Sequence, residues 1–161
     1  FGGKEQLFAA MMLAQRDDML GVFDHPTEMV QDLHRFAWHY AAVVMRPDLL
    51  SLARLIIGEV QRFPEIGRAY QTSGPDRVLA GIMAYLTQRR TEGRLGFDDA
   101  ELAAQDLWGL ILSAPRTQAL YIPDSTPPLD RYINNGLRVF LRAYSSHPDT
   151  DLAALNALIK G

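Results

Sequence analysis

Apolar residues recur at helical spacing along almost the whole chain, and Pro and Gly interrupt the pattern at intervals. Between residues 29 and 44 the apolar positions step by three and four, which is one face of a helix: Met29, Val30, Leu33, Phe36, Ala37, Tyr40, Ala41 and Val44. Alternating strand patterns are missing. The pattern predicts an all-α fold, a bundle of about seven or eight helices around one core.

The interruptions give approximate bounds for each helix. Pro47 begins a third segment so rich in apolar residues that we expect it to be central and largely buried. Pro115 should kink or stop the sixth helix, because proline lacks the N–H that continues the ladder. The predicted helices cover about residues 4–18, 26–46, 47–62, 64–72, 76–92, 98–115, 129–144 and 151–159.

Composition restricts the class of protein. The chain has 161 residues, of which 48% are hydrophobic and 22% charged, enough apolar surface for one folded domain. Its net charge of −3 lacks the basic excess of a stand-alone nucleic-acid binder. Cysteine is absent, which excludes disulfides and thiol chemistry. No apolar run reaches a membrane span, so we expect a cytoplasmic protein without a membrane partner.

Motifs for catalysis or metal binding are missing. His34 and His39 are five residues apart and do not share a helix face, and the chain contains no HExxH, GxSxG, P-loop or GxGxxG pattern. We therefore expect no metal, no cofactor and no enzymatic activity. An enzyme on an all-α scaffold remains an alternative that would require a convergent polar site.

Two predicted helices in the second half of the chain carry more apolar surface than packing against a single neighbouring helix would bury. The helix from Leu129 has a broad apolar stripe in which Gly136 permits close approach of another backbone, and the helix with Trp108 is apolar on more than one face. This surplus favours a homodimer formed through these helices. The residues expected at that interface are Leu110, Ile133, Leu137, Phe140, Leu141 and Tyr144.

The first eight residues, Phe-Gly-Gly-Lys-Glu-Gln-Leu-Phe, resemble the junction between the DNA-binding and ligand-binding parts of TetR/AcrR-type transcriptional repressors. Gly3 stands where serine is commoner in that motif, and glycine is an acceptable N-cap. Residues 52–65 and 93–104 resemble the AefR-like group of C-terminal domains in the same family. The resemblance implies a TetR-type C-terminal helical bundle over residues 1–161, with residues 1–8 as the tail of the junction.

The family resemblance also implies a mechanism. A small, largely apolar effector enters the helical domain of a homodimer and changes the spacing of two DNA-binding headpieces. The helix-turn-helix would precede Phe1, so operator DNA is expected as a partner only of a full-length protein, and Lys4 is the residue expected to contact a DNA phosphate. The helix from Lys4 would act as the lever between the two parts.

Candidates for the effector pocket are the residues expected to face the centre of the bundle. Methionine and aromatic side chains suit an adaptable apolar lining, and a few polar groups would orient the ligand. The candidates are Met12, Gln15, Phe36, His39, Tyr40, Gln61, Met83 and Trp108. The alternative is a helical ligand-binding or protein-interaction module without a role in DNA binding.

Overall fold

The computed structural model describes residues 19–160, so the helix predicted over residues 4–18 lies outside the described part. A short 3-10 helix, η1, is followed by seven α-helices, and between residues 19 and 160 the only β-type pairing is an isolated bridge of Leu95 with Ser145. The all-α prediction is confirmed. The bounds are η1 Gly21–Phe23, α1 Met29–Val44, α2 Pro47–Glu59, α3 Pro64–Ser73, α4 Pro75–Thr91, α5 Ala100–Tyr121, α6 Leu129–Tyr144 and α7 Pro148–Lys160.

The core lies where α1, α4, α5 and α6 meet. The pair α5 and α6 forms the most extensive helix–helix contact, and α7 packs against α6 and α1. Large side chains that are fully buried there include Phe36, Leu107 and Phe140. The inward positions of α1 are those that the spacing of three and four selects, so the predicted stripe is confirmed.

Helix α1 begins one turn later than its sequence suggests. The carboxylate of Asp32, in the first turn, accepts hydrogen bonds from the backbone N–H and the hydroxyl of Thr27. These bonds hold residue 27 in the segment just before the helix. The start at Met29 therefore follows from a side chain inside the helix and not from Pro26.

Pro115 does not stop α5, which continues to Tyr121. Its ring is buried inside the helix, and neighbouring Leu112 and Ala119 are buried as well. A proline removes one backbone hydrogen bond, and packing on both sides of the position can offset that loss. Of the two predicted outcomes, a kink or a stop, the stop is therefore wrong, and residues 100–121 form one helix.

Helix α2 is less buried than predicted. The side chains of Leu55 and Ile57 are 63% and 61% exposed, whereas Leu49, Leu50, Ala53 and Ile56 are buried. Contact with α1, α3 and α5 covers only one side of α2. An almost continuous apolar sequence here does not make a central helix.

The apolar stripe of α6 faces the interior of the same chain. Ile133, Leu137, Phe140 and Leu141 are at most 1% exposed in a single protomer. These four side chains cannot form the exposed face of a dimer interface, because the protomer's own core already covers them. Leu110 remains 37% exposed and Tyr144 half-buried, so only these two of the six predicted interface residues offer surface to a partner.

Candidate functional site

A cavity of about 390 Å³ lies where α1, α3 and α4 meet the middle of α5. Its volume falls within the range of about 300–1,000 Å³ that is usual for small-molecule sites. Helix α5 provides most of the wall. The lining residues are Tyr40, Gln71, Leu79, Gln105, Trp108, Gly109, Leu112, Ser113, Arg116 and Thr117.

Spacing along α5 explains why it provides so much of this wall. Trp108, Leu112 and Arg116 follow one another at intervals of four, and Gln105, Gly109 and Ser113 form a second such row beside them. Residues four apart lie one above the other on a helix face. Because α5 runs through Pro115, Arg116 belongs to the same face as Trp108.

Aromatic rings form the apolar part of the site. Tyr40 and Trp108 meet edge to face, with ring centroids 6.0 Å apart and planes at 74°. Phe36 stacks on Tyr40 from the core side at 5.8 Å, and Phe23 of η1 stacks on Phe36 at 4.9 Å. The cavity wall is thus the end of a row of rings that reaches η1.

Arg116 is the charged residue of the lining. Its Nη2 donates to the hydroxyl of Tyr70 at 3.0 Å, while its Nε is buried and has no hydrogen-bond partner in the described part of the chain. None of the ion pairs formed among residues 19–160 includes Arg116. Among residues 19–160 the lining therefore contains a guanidinium and no carboxylate.

The phenol of Tyr40 stays protonated in this setting. Burial raises the pKa of Tyr40 to about 12, and the nearby charge of Arg116 and a hydrogen bond from Trp108 oppose that rise only in part. At neutral pH the group is an uncharged hydroxyl inside an apolar wall. It can donate a hydrogen bond to a ligand.

The eight predicted pocket residues do not all meet. Tyr40 and Trp108 line the cavity, and Phe36 lies behind Tyr40 in the core. Met83 packs against the core outside the lining. Met12 and Gln15, like the predicted DNA contact Lys4, lie outside the described residues.

His39 and Gln61 are both exposed and do not line the cavity. His39 lies next to Tyr40 on α1 and so points about 100° away from the buried face. Gln61 follows the end of α2 at Glu59 and sits in a turn. Both were expected to face the centre of the bundle, but their positions in the helix and turn direct them to solvent.

Arg116 and Gln71 also line the cavity, although neither was predicted from the sequence. The intervals 108, 112 and 116 were visible in the sequence, but the expected stop at Pro115 separated Arg116 from that row. Gln71 belongs to α3, and its place opposite α5 depends on tertiary packing. No local pattern distinguishes it from other exposed glutamines.

Two larger cavities lie elsewhere. One of about 540 Å³ runs between η1 and α4, beside Phe23 and Tyr85, and one of about 640 Å³ lies between Leu110 and the polar side of α6. The described residues that line them include none of the predicted pocket residues. Among residues 19–160 no group of three or more His, Asp or Glu is arranged to hold a metal ion.

His34 is half-buried, whereas His39 is exposed. Nε2 of His34 accepts a hydrogen bond from the indole N–H of Trp38 at 3.2 Å, and burial lowers the pKa of His34. Burial of the ring therefore favours the neutral imidazole.

Solved structures with the same fold are transcriptional regulators. A protein of Mesorhizobium loti described as a TetR-family transcriptional regulator is 29% identical with a TM-score of 0.78, over 88% of this chain and 75% of that chain. The flavonoid-responsive regulator FrrA is 25% identical with a TM-score of 0.71, over 91% and 77%. A TetR-family regulator of Pseudomonas syringae pv. tomato, 20% identical with a TM-score of 0.66 over 86% and 72%, shares the fold.

No curated protein matches this chain in sequence. The family model for the C-terminal domain of AefR-like transcriptional repressors matches residues 31–146, which is more than half of the chain and includes most of the cavity lining. The described part of the chain has no helix long and apolar enough to cross a membrane. The resemblance noted in the sequence is confirmed, and the chain belongs to the AefR-like C-terminal domain family of TetR-type transcriptional regulators.

Proposed function

We propose that this chain is the effector-binding and dimerisation domain of a cytoplasmic TetR-family repressor. The observation that carries the proposal is the cavity beside Trp108, which combines aromatic walls with a few polar groups inside a domain of this family. A small, largely apolar molecule would bind there and control operator binding by a helix-turn-helix headpiece preceding Phe1. We propose no catalytic role.

The row of aromatic rings provides a route by which ligand binding would affect the DNA-binding headpieces. Trp108 contacts Tyr40, which stacks on Phe36, which in turn stacks on Phe23 of η1. Phe23 lies directly after the segment that would link the headpiece to this domain. A ligand that displaces Trp108 would change the packing of η1 and so favour one headpiece spacing over the other.

We further propose that two chains associate through the solvent-facing sides of α5 and α6. Leu102, Leu110 and Val139 are 59%, 37% and 37% exposed on these two helices. Exposed apolar side chains on two adjacent helices suit an isologous contact with a second copy. The buried apolar residues of α6 would then lie beneath this interface, in the core of each protomer.

Operator release tests the proposal. The protein translated from the complete reading frame would be mixed with the DNA next to its own gene, and naringenin would serve as the probe because one relative is flavonoid-responsive. We expect naringenin to release the DNA and Trp108→Ala to raise the concentration required by at least tenfold. Leu55→Ala, an exposed apolar residue of α2, serves as the matched control.

Two results would contradict the proposal. One is a protein that binds no DNA even at low salt, where phosphate contacts are strongest. The other is DNA release that Trp108→Ala leaves unchanged, which would place the effector elsewhere. A helical module without a DNA role would give the first result.

A further inference from the structure

The charge of Arg116 distinguishes this cavity from a simple apolar pocket. Its guanidinium is half-buried, its Nε has no partner within residues 19–160, and its hydrogen bond there goes to the hydroxyl of Tyr70 and not to a carboxylate. A charge removed from water is costly unless an opposite charge compensates it. The described structure contains no such opposite charge beside Arg116.

The remaining polar groups of the lining are neutral. Gln105, Ser113 and Thr117 of α5 are exposed and mark the side on which the cavity opens to solvent. Two lining amides donate to carboxylates at the rim: Gln71 to Asp76 at 2.7 Å and Gln105 to Glu101 at 3.1 Å. Neither carboxylate is among the described lining residues, so that part of the wall favours a negative group.

Trp108 and Tyr40 form the aromatic part of the cavity wall. Their edge-to-face contact leaves ring surface along the wall next to Leu79 and Leu112. A flat ring system packs well on such a wall. The donor-rich end lies two helical turns along α5, at Arg116.

We propose that this cavity binds an aromatic organic anion, whose acidic group pairs with the guanidinium of Arg116 while its ring packs against Trp108 and Tyr40. The inference rests on the proposed function, because it specifies the effector class of the same site. Arginine matches a carboxylate with two parallel N–H donors, which a neutral ligand of the same shape does not use. Selectivity for the anion should therefore depend on this one side chain.

A matched pair of probes separates charge from shape. 2-Naphthoate and 2-naphthamide have the same ring system and differ in the charged carboxylate. Binding would be followed on the purified protein by nuclear magnetic resonance, through the indole N–H signal of Trp108. The chain has two tryptophans, so Trp38→Phe identifies that signal.

We expect 2-naphthoate to bind at least tenfold more tightly than 2-naphthamide. Arg116→Gln should weaken the naphthoate by about ten- to hundredfold and leave the amide within about threefold, because a charged hydrogen-bonded pair is lost only for the anion. Arg116→Lys keeps the charge without the planar fork and should retain part of the preference.

Two control variants test whether Arg116 merely holds the helices together. Arg142→Gln removes an equal charge from the exposed surface of α6. Tyr70→Phe removes the hydrogen bond that joins Arg116 to α3 and leaves the guanidinium in place. Both variants should keep the preference for naphthoate, and thermal unfolding by circular dichroism confirms that each variant is folded.

Three results would overturn the inference. Equal affinities of the two probes, or an equal loss for both in Arg116→Gln, would show a ligand cavity without anion selectivity and would leave the proposed function intact. If Tyr70→Phe weakened naphthoate binding as much as Arg116→Gln does, Arg116 would act only by holding α3 and α5 together. A Trp108 signal that responds to neither probe would overturn both this inference and the cavity as an effector site.

Discussion

Gly136 of α6 lies against the main-chain carbonyl of Leu110 in α5. A Cβ at position 136 would stand 2.5 Å from the carbonyl oxygen and 2.7 Å from the carbonyl carbon of Leu110. Main-chain atoms cannot move aside as a flexible side chain can. The two helices therefore cross in direct backbone contact, which any residue larger than glycine would prevent.

Gly136→Ala should lower the free energy of unfolding by about 1–3 kcal/mol, because overpacking forces α5 and α6 apart. Alanine's better helix propensity, worth about 1 kcal/mol, offsets part of the loss. Urea unfolding followed by circular dichroism measures the change.

Gly58→Ala is the matched control for this substitution. Gly58 lies inside α2, and a Cβ built there meets nothing within 4 Å. This variant should gain about 0.5–1 kcal/mol from propensity alone. If Gly136→Ala stabilises the protein as much as Gly58→Ala does, the close crossing is contradicted.

Asp32 is a fully buried carboxylate that joins α1 to α4. It accepts hydrogen bonds from Arg35 at 2.7 Å and from the hydroxyl of Tyr85 at 2.9 Å, and Arg89 lies 3.5 Å away. Asp32→Asn would remove the counter-charge of Arg35 and leave Arg89 paired with Glu92 alone. We expect a loss of about 3 kcal/mol or more in urea unfolding at pH 7, against almost none for the exposed Asp98→Asn.

The effect of Asp32 should depend on pH. Burial alone would raise the pKa of Asp32, but hydrogen bonds from Arg35, Thr27 and Tyr85 outweigh it and hold that pKa below its usual value. A lowered pKa in the folded state gives stability that is present above the unfolded value of about 3.9 and lost as pH falls through the folded value. The urea midpoints of wild type and Asp32→Asn should therefore differ most near neutral pH and converge below about pH 4. A constant difference would contradict this assignment.

Tyr85 connects the same cluster to η1. Its ring stacks on Phe23 at 4.1 Å while its hydroxyl donates to Asp32. Tyr85→Phe keeps the stacking and removes the donor, so it should cost about 1.5–3 kcal/mol. Tyr121→Phe, at a side chain 83% exposed, should cost nothing measurable in the same unfolding assay. The double variant of Tyr85→Phe and Asp32→Asn should lose less free energy of unfolding than the two single variants lose together. A fully additive loss would show that the two residues do not interact.

Helical periodicity was sufficient to predict the fold class, the main elements and the buried face of α1. It failed where packing depends on a partner distant in sequence. The apolar residues of α2 have neighbours on one side only, so Leu55 and Ile57 remain exposed, whereas the stripe of α6 is covered by α5. The sequence showed that these helices have apolar faces but not what covers each face.

The cavity was predictable in part. Tyr40 and Trp108 were expected from aromatic residues on inward faces, and both line it. Arg116 was missed because a local rule about proline was applied to Pro115, where buried packing overrides it. His39 and Gln61 were expected to face the centre of the bundle as polar groups, but helix phase and a helix end direct them to solvent.

The exposed apolar residues of α5 and α6 lead to a prediction about assembly. Leu110→Glu and Val139→Glu place charges on the surface proposed for the dimer, where both side chains are 37% exposed. In an isologous contact each charge would occur twice in one interface, so we expect dimer dissociation constants at least tenfold higher by sedimentation equilibrium. Leu55→Glu adds the same charge at a more exposed leucine of α2 and should leave the dimer unchanged. If Leu55→Glu alone dissociates the dimer, the interface belongs to α2, and a wild-type monomer at high protein concentration would contradict dimerisation of this domain altogether.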